Sequence, residues 1–183
     1  MTDYVLFPEQ RPFSGSPPTR QPRRSNSRRG SSLVEGALVL LPFMALMLGI
    51  IDFAMPIFLQ SLFANAVREG VRYAVTHQTT FNGTSYSTQS AAIKAVVQSN
   101  SLGFLTGTSA SAVQVKYFAS MSPFGERTGT GANKSGNIVE VSVNGFNWTW
   151  IAPIWRTSSP LSISVSSSDR LEPIAGGGTL PTP

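Results

Sequence analysis

The sequence has no cysteine and a single histidine, His77, among its 183 residues. The absence of cysteine excludes disulfides, thiolate metal sites and a cysteine nucleophile, and one imidazole cannot form a multi-histidine metal site. Charged residues are also scarce: they make up 13% of the chain, against roughly 25% in a typical soluble domain. We therefore expect a chain without a metal site or a cofactor.

The positive charge is concentrated at the N-terminus. Residues 1–30 contain six arginines against Asp3 and Glu9, which gives +4 of the net charge of +5. The rest of the chain carries eight cations and seven anions, so nucleic-acid binding by a folded domain is disfavoured. Five prolines and the lack of apolar periodicity predict that residues 1–30 form a disordered basic leader.

A long uncharged segment follows the leader. Gly36–Ile51 contains no charged residue, and its extension to Gln60 would form a helix about 37 Å long at about 1.5 Å per residue. A hydrocarbon core is about 30 Å thick, so we predict a transmembrane helix over residues 31–60. A cleaved secretory signal is the alternative, but the segment is longer than an ordinary signal core.

The flanks of this span predict its orientation. Four arginines lie within about 20 residues before the span, and only Arg68 and Arg72 lie near its far side. The positive-inside rule places the N-terminus in the cytoplasm and everything after Gln60 outside it. Asp52 is then expected at headgroup level, near the outer interface.

Helical periodicity continues beyond the span. Apolar residues recur every three or four positions from Leu59 to Ala74, opposite a polar stripe that includes Arg68, Glu69 and Arg72. The pattern predicts that the helix continues to about Thr76 as an amphipathic helix. Glu69 and Arg72 are expected to pair at i,i+3 spacing, and His77 is expected at the surface or as a cap.

The rest of the chain predicts an α+β fold, in which the long N-terminal helix carries a small antiparallel sheet as a head over residues 61–174. A short helix is predicted over Ala91–Gln98, capped by Ser90 or Thr88. Residues 175–183 are predicted to be a flexible tail. Apolar alternation predicts three strands, around Val113–Tyr117, Val139–Val143 and Leu161–Val165.

The aromatic residues and the loops offer no catalytic motif. The segment from Gly129 to Gly136 lacks the spacing of a phosphate-binding loop, and the seven acids after residue 30 form no compact pair. We therefore predict a protein that is not an enzyme. The aromatic cluster is expected in the core, with a membrane-facing belt or a sugar platform as alternatives; it consists of Phe146, Trp148, Trp150 and Trp155.

The most specific motif lies at the membrane boundary. Gly30 separates the basic leader from the apolar helix, and Glu35 follows five residues later. A carboxylate in a first helical turn gains about 0.3–1 kcal/mol from the helix dipole, so the spacing alone leaves a structural and a functional interpretation of Glu35 open.

Together, these segments resemble a known family. Gly30, Glu35 and the apolar helix resemble the class III signal of type IV pilins and pseudopilins. More narrowly, RRGSSLVEGALVLLPFMALMLGIIDF, followed by NAVREGVRYA and by SDRLE near the C-terminus, is similar to the TadE/TadG-like proteins of tight-adherence (Flp) pili.

The resemblance implies a minor pilin-like or pseudopilin-like structural component with a pilin-like fold. A prepilin peptidase would cleave between Gly30 and Ser31, and Glu35 would pair with the new amino terminus of a neighbouring subunit. The implied partners are other pilin or pseudopilin subunits, inner-membrane assembly proteins and the lipid bilayer. The implied location is the bacterial inner membrane as a single-pass protein, and an extracellular pilus after assembly.

Two sets of residues are candidates for contacts between subunits. Small side chains would let helices approach closely; these are Gly36, Ala37, Ala45 and Gly49. The polar stripe, with Arg68, Glu69 and Arg72, is a second candidate contact. Two alternatives to cleavage and assembly stay open: an uncleaved single-pass scaffold of the apparatus, and a signal-anchored extracytoplasmic binding module with the tryptophans as its ligand platform.

Overall fold

The computed structural model describes residues 27–121, 125–151, 160–174 and 178–183. Most of the predicted disordered leader, together with Trp155 and residues 175–177, lies outside the described residues. The chain divides into two compact units, Met1–Leu41 and Pro42–Pro183, and the sheet and its core belong to the second.

One long helix, α1, covers Ser27–Val75 and contains Pro42 and Pro56. Within the described part of the chain it is the one helix long and apolar enough to cross a membrane, judged by length and composition. It ends where predicted: the N–H of His77 donates to Ala74 O at 3.1 Å, and His77 leaves the helix with a positive φ of 56°.

The head contains a four-stranded antiparallel sheet in the order β4-β3-β5-β6. The three longer strands are those predicted from apolar alternation. Val115 pairs with Val141, and Val143 pairs with Val165, so the valines of adjacent strands pack side by side. The strands are β3 (Val113–Phe118), β4 (Glu126–Arg127), β5 (Ile138–Trp148) and β6 (Leu161–Arg170).

A small hairpin that the sequence analysis treated as loop follows α1. Its strands are β1 (Thr80–Phe81) and β2 (Thr84–Ser85). Asn82 and Gly83 connect them, both with positive φ, at 48° and 78°. An Asn-Gly pair suits the two left-handed positions of a type I′ turn, so this dipeptide was the available signal for the hairpin.

The second helix, α2, covers Gln89–Ser99, and Thr88 caps it by accepting a hydrogen bond from the Ala91 N–H at 3.1 Å. It packs against α1 at Gly70, where a Cβ atom would come within 2.5 Å of Val97 Cγ2. The core therefore forms between the second half of α1, α2 and the sheet; its fully buried members include Leu59, Phe63, Val67, Ile93, Val97, Val139 and Val141.

A buried polar network joins distant parts of the head. Gln89 is fully buried, donates through Nε2 to Ala74 O at 2.8 Å and accepts from Asn133 Nδ2 at 2.6 Å. The same Asn133 nitrogen donates to Pro181 O at 2.9 Å, and the Gln89 N–H donates to Thr182 O at 2.8 Å. The chain around Pro181, within the segment predicted to be flexible, thus accepts two hydrogen bonds from the head.

Candidate functional site

The helix start carries the predicted cleavage and pairing residues. Gly30, Ser31 and Glu35 all lie in α1, which begins at Ser27. The Ser31 hydroxyl donates to Glu35 Oε1 at 3.1 Å, so the two candidate residues meet across one helical turn. Gly30 and Gly36 have open space where a Cβ would be placed, and nothing within this part of the chain covers the Glu35 side chain.

Most of the apolar side chains of the candidate span are exposed. Leu33 is 76% exposed, Leu38 72% and Leu41 71%, although such side chains are normally buried in soluble proteins. An exposed apolar surface of this extent requires lipid or other helices around it. This exposure, together with the length and composition of α1, suits a membrane anchor.

The predicted small residues differ in their surroundings. Gly36 and Ala37 are exposed, whereas Ala45 and Gly49 are half-buried. Ala45 and Gly49 lie one turn apart in a shallow apolar depression that extends to Ile57. Small residues four apart are a typical contact geometry for membrane helices, so Ala45 and Gly49 form the better-defined candidate for helix packing.

Asp52 is bonded to a distant part of the chain. Its side chain is fully buried, and Oδ1 accepts a hydrogen bond from the Ile151 N–H at 2.7 Å. Next to it, Phe53 and Trp150 stack edge to face with their ring centroids 5.4 Å apart. Asp52 is thus a structural acceptor for the chain just after β5, whereas its expected position at headgroup level stays a prediction.

The polar stripe of α1 is exposed and faces a cleft. Arg68 and Arg72 line this cleft, which has a volume of about 500 Å³, together with Asp169 and Glu172. The predicted pair of Glu69 and Arg72 is not formed within 4 Å; the ion pair found in the described part of the chain joins Lys116 to Glu126 at 3.5 Å. The prediction fails because Arg72 is directed to the cleft, whose lining does not include Glu69.

The aromatic cluster is partly in the core, as expected. Phe146 and Trp148 pack against the buried core, and Phe146 stacks edge to face on Phe63 at a centroid distance of 4.9 Å. Trp150 is half-buried against Phe53. Trp150 also lines an open cavity of about 500 Å³ between α1 and β6.

Two tyrosines in the head, Tyr73 and Tyr117, have raised pKa values. Burial raises the pKa of Tyr117, while a hydrogen bond with Ser90 opposes this shift. Burial also raises the pKa of Tyr73, and Tyr86 adds to the effect. The described ranges contain no group of three or more acids and histidines that could hold a metal ion.

The sequence analysis did not predict the buried hydrogen bonds of Asp52, Gln89 and Asn133. Their partners lie 99, 15 and 48 residues away along the chain, so no local pattern connects them. A buried polar side chain needs hydrogen-bond partners, but the sequence does not show which polar residues the fold buries.

These features define a class of protein. In the described residues, a long helix with exposed apolar side chains is joined to a small α+β head, and this arrangement suits a membrane-anchored protein. The comparison with protein families then identifies the helix: the model of the TadE-like protein family matches residues 30–72. This match confirms the resemblance predicted from the sequence, over the segment that it covers. The comparisons with curated proteins and with solved structures found no match.

Proposed function

We propose that the chain is a minor pilin-like or pseudopilin-like structural component of the tight-adherence pilus, cleaved after Gly30 by a prepilin peptidase and assembled through its apolar helix. Before assembly it sits in the bacterial inner membrane, with the N-terminus in the cytoplasm and the head outside. The observation that carries the proposal is the exposed apolar surface of α1 inside the matched segment, residues 30–72.

Glu35 has a specific part in this proposal. Cleavage converts Ser31 into the N-terminal residue, so a new α-ammonium group appears one turn from Glu35. Each charge is costly to keep in an apolar environment by itself. Pairing the ammonium of one subunit with the Glu35 carboxylate of the next offsets part of this cost and fixes the axial stagger between two helices.

The helical conformation around Gly30 bears on the cleavage step. A protease that binds an extended peptide must unwind the segment from Ser27 to Gly30, which α1 includes. The first four N–H groups of a helix have no intrahelical acceptor, and glycine costs roughly 1 kcal/mol relative to alanine in a helix. Both effects lower the free-energy cost of local unwinding. The first turn is nevertheless helical, which favours a second candidate, an uncleaved scaffold protein.

Mass spectrometry of the protein from native membranes separates these two candidates. An N-terminus at Ser31 supports cleavage, whereas a chain that retains its leader in a functioning apparatus contradicts it. Glu35→Gln should leave the cleavage intact and reduce surface fibres at least tenfold. Glu140→Gln, on β5 in the head, is the matched control and should leave fibre production unchanged. Normal fibre production with Glu35→Gln would overturn the role of Glu35.

A further inference from the structure

The edge strand β6 carries an unpaired edge. β6 is the last strand of the sheet and pairs with β5 along one side. In the described ranges, no strand pairs with its other side. Ten residues, Leu161–Arg170, form this strand, so its outer side is long enough for a stable interaction with another extended chain.

The direction of the backbone groups along β6 follows from Leu171. Its N–H donates to Asn137 O at 2.8 Å, and its C=O accepts from Gly136 N at 2.9 Å, so Leu171 faces the β5 side. Backbone groups of successive strand residues point to opposite sides. The residues whose N–H and C=O point outward are therefore Ser162, Ser164, Ser166, Ser168 and Arg170.

The outer edge is closed at one end. The Arg170 N–H is taken by the carboxylate of Asp169, at 2.7 Å. From Leu161 to Ser168 the strand carries no charge and no proline. Sheet edges of monomeric proteins are usually protected by charges, prolines or bulges, and this stretch has none of those residues.

A trough runs beside this edge, between β6 and α1; we call it the edge trough. Near the membrane span its walls are Phe53, Pro56, Ile57 and Gln60 on α1 and Trp150 with Leu161–Ser164 opposite them. Farther along, Arg68 and Arg72 face Ser167–Asp169 across the second cavity. Each cavity has a volume of about 500 Å³, which gives room for side chains of an added strand.

The trough also shows that β6 runs in the same direction as α1, since Leu161 lies beside Ile57 and Asp169 beside Arg72. A two-fold, antiparallel pairing of two β6 strands would point the two α1 helices in opposite directions. Copies inserted in one membrane with the same orientation cannot adopt it. The strand at the other edge of the sheet, β4, is two residues long, so β4 of a second copy is too short to pair along β6.

We propose that the outer edge of β6 binds an extended segment of a different pilus subunit as a fifth strand. The segment is apolar where its side chains meet Phe53 and Ile57. Farther along it carries both acidic and basic side chains, because Arg68 and Arg72 share that cavity with Asp169 and Glu172. The inference rests on the proposed function, which supplies the class of partner, and adds strand pairing by the head to the packing of the helices.

A proline substitution tests the edge directly. Ser166→Pro removes an outward N–H without removing a hydrogen bond to β5, since Ser166 is exposed and its N–H points away from that strand. We expect it to reduce surface fibres at least tenfold, with the melting temperature of the detergent-solubilised chain within a few degrees of the parent. Ser166→Ala keeps the N–H and should assemble normally. Normal assembly of Ser166→Pro overturns the proposal.

Hydrogen exchange provides the second measurement, in case Ser166→Pro destabilises the head. The exchange is compared, for the parent chain, between the detergent-solubilised protein and the apparatus purified from native membranes. The amides of Ser162, Ser164 and Ser166 should exchange quickly in the first sample and at least tenfold more slowly in the second. Equal exchange in both samples overturns the proposal, and so does a cross-link that joins two copies of this chain through β6.

The two proposals can fail separately. If Glu35→Gln abolishes fibres while the β6 amides stay unprotected in the apparatus, the edge proposal is wrong and the helix assembly stands. If the β6 amides are protected while Glu35→Gln and cleavage have no effect on fibres, the edge binds a partner and the pilin-like mechanism is wrong.

Discussion

Gly70 allows α1 and α2 to approach each other, and its replacement by alanine has a calculable effect. The added Cβ would lie 2.5 Å from Val97 Cγ2, 3.5 Å from Val141 Cγ1 and 3.6 Å from Ile93 Cγ2. Carbon atoms pack best at about 3.5–4.0 Å, so the Val97 contact alone is about 1 Å too short. A valine in a helix has one strongly preferred rotamer, so Val97 cannot simply turn away.

Two opposing terms determine the stability of Gly70→Ala. Alanine gains about 1 kcal/mol in helix propensity over glycine, whereas overpacking a core costs typically about 1–3 kcal/mol. We expect a net destabilisation of about 1 kcal/mol, which corresponds to a fall in the melting temperature of roughly 4 °C for a head of this size. Thermal unfolding of the detergent-solubilised chain, followed by tryptophan emission, measures it.

A double-mutant cycle checks the reasoning through the sign of the effect. In a Val97→Ala background the clashing methyl is absent, so Gly70→Ala should become stabilising by up to about 1 kcal/mol. The coupling between the two sites should then be about 2 kcal/mol. If Gly70→Ala is stabilising in both backgrounds, the close approach of the two helices at this glycine is refuted.

Three further predictions concern the head. Gln89→Ala should lower the free energy of unfolding by about 2 kcal/mol, because it leaves the buried carbonyl of Ala74 without its donor; chemical denaturation measures the loss. Asp52→Ala should free the Ile151 N–H and shift the tryptophan emission to longer wavelength, whereas Asp52→Asn, which keeps an acceptor, should not; identical spectra for both variants would contradict the role of Asp52. Burial raises the pKa of Tyr117 in the folded state, so the unfolded state loses this proton at a lower pH. The contribution of Tyr117 to stability is complete below about pH 10 and falls as the pH rises above it. The loss of stability between about pH 8 and 11, measured by unfolding, should therefore be smaller in Tyr117→Phe.

The long elements could be predicted from the sequence because their apolar periodicity is strong. The end of α1 near Thr76, the helix after Thr88 and the three strands with alternating valines all follow from patterns within a dozen residues. The short strands β1, β2 and β4 bury few side chains, so the period of two has too few repeats to be recognised.

The candidate site residues also differ in whether the local sequence could predict their arrangement. Gly30, Ser31 and Glu35 are adjacent along one helix turn, so their spacing in the sequence already brings them together. The burial of Asp52 and the position of Arg72 beside Asp169 depend on contacts between elements that are about 100 residues apart. Such contacts are properties of the tertiary fold, and local spacing carries no information about them.

The hydrogen bonds of Gln89 and Asn133 impose an order on folding. The Gln89 N–H and the Asn133 side chain lack their acceptors until the segment around Pro181 reaches the head, although α1 and α2 come far earlier in the chain. Closing contacts over such long separations is entropically slow. The head of this protein therefore reaches its final stability only when these long-range contacts close.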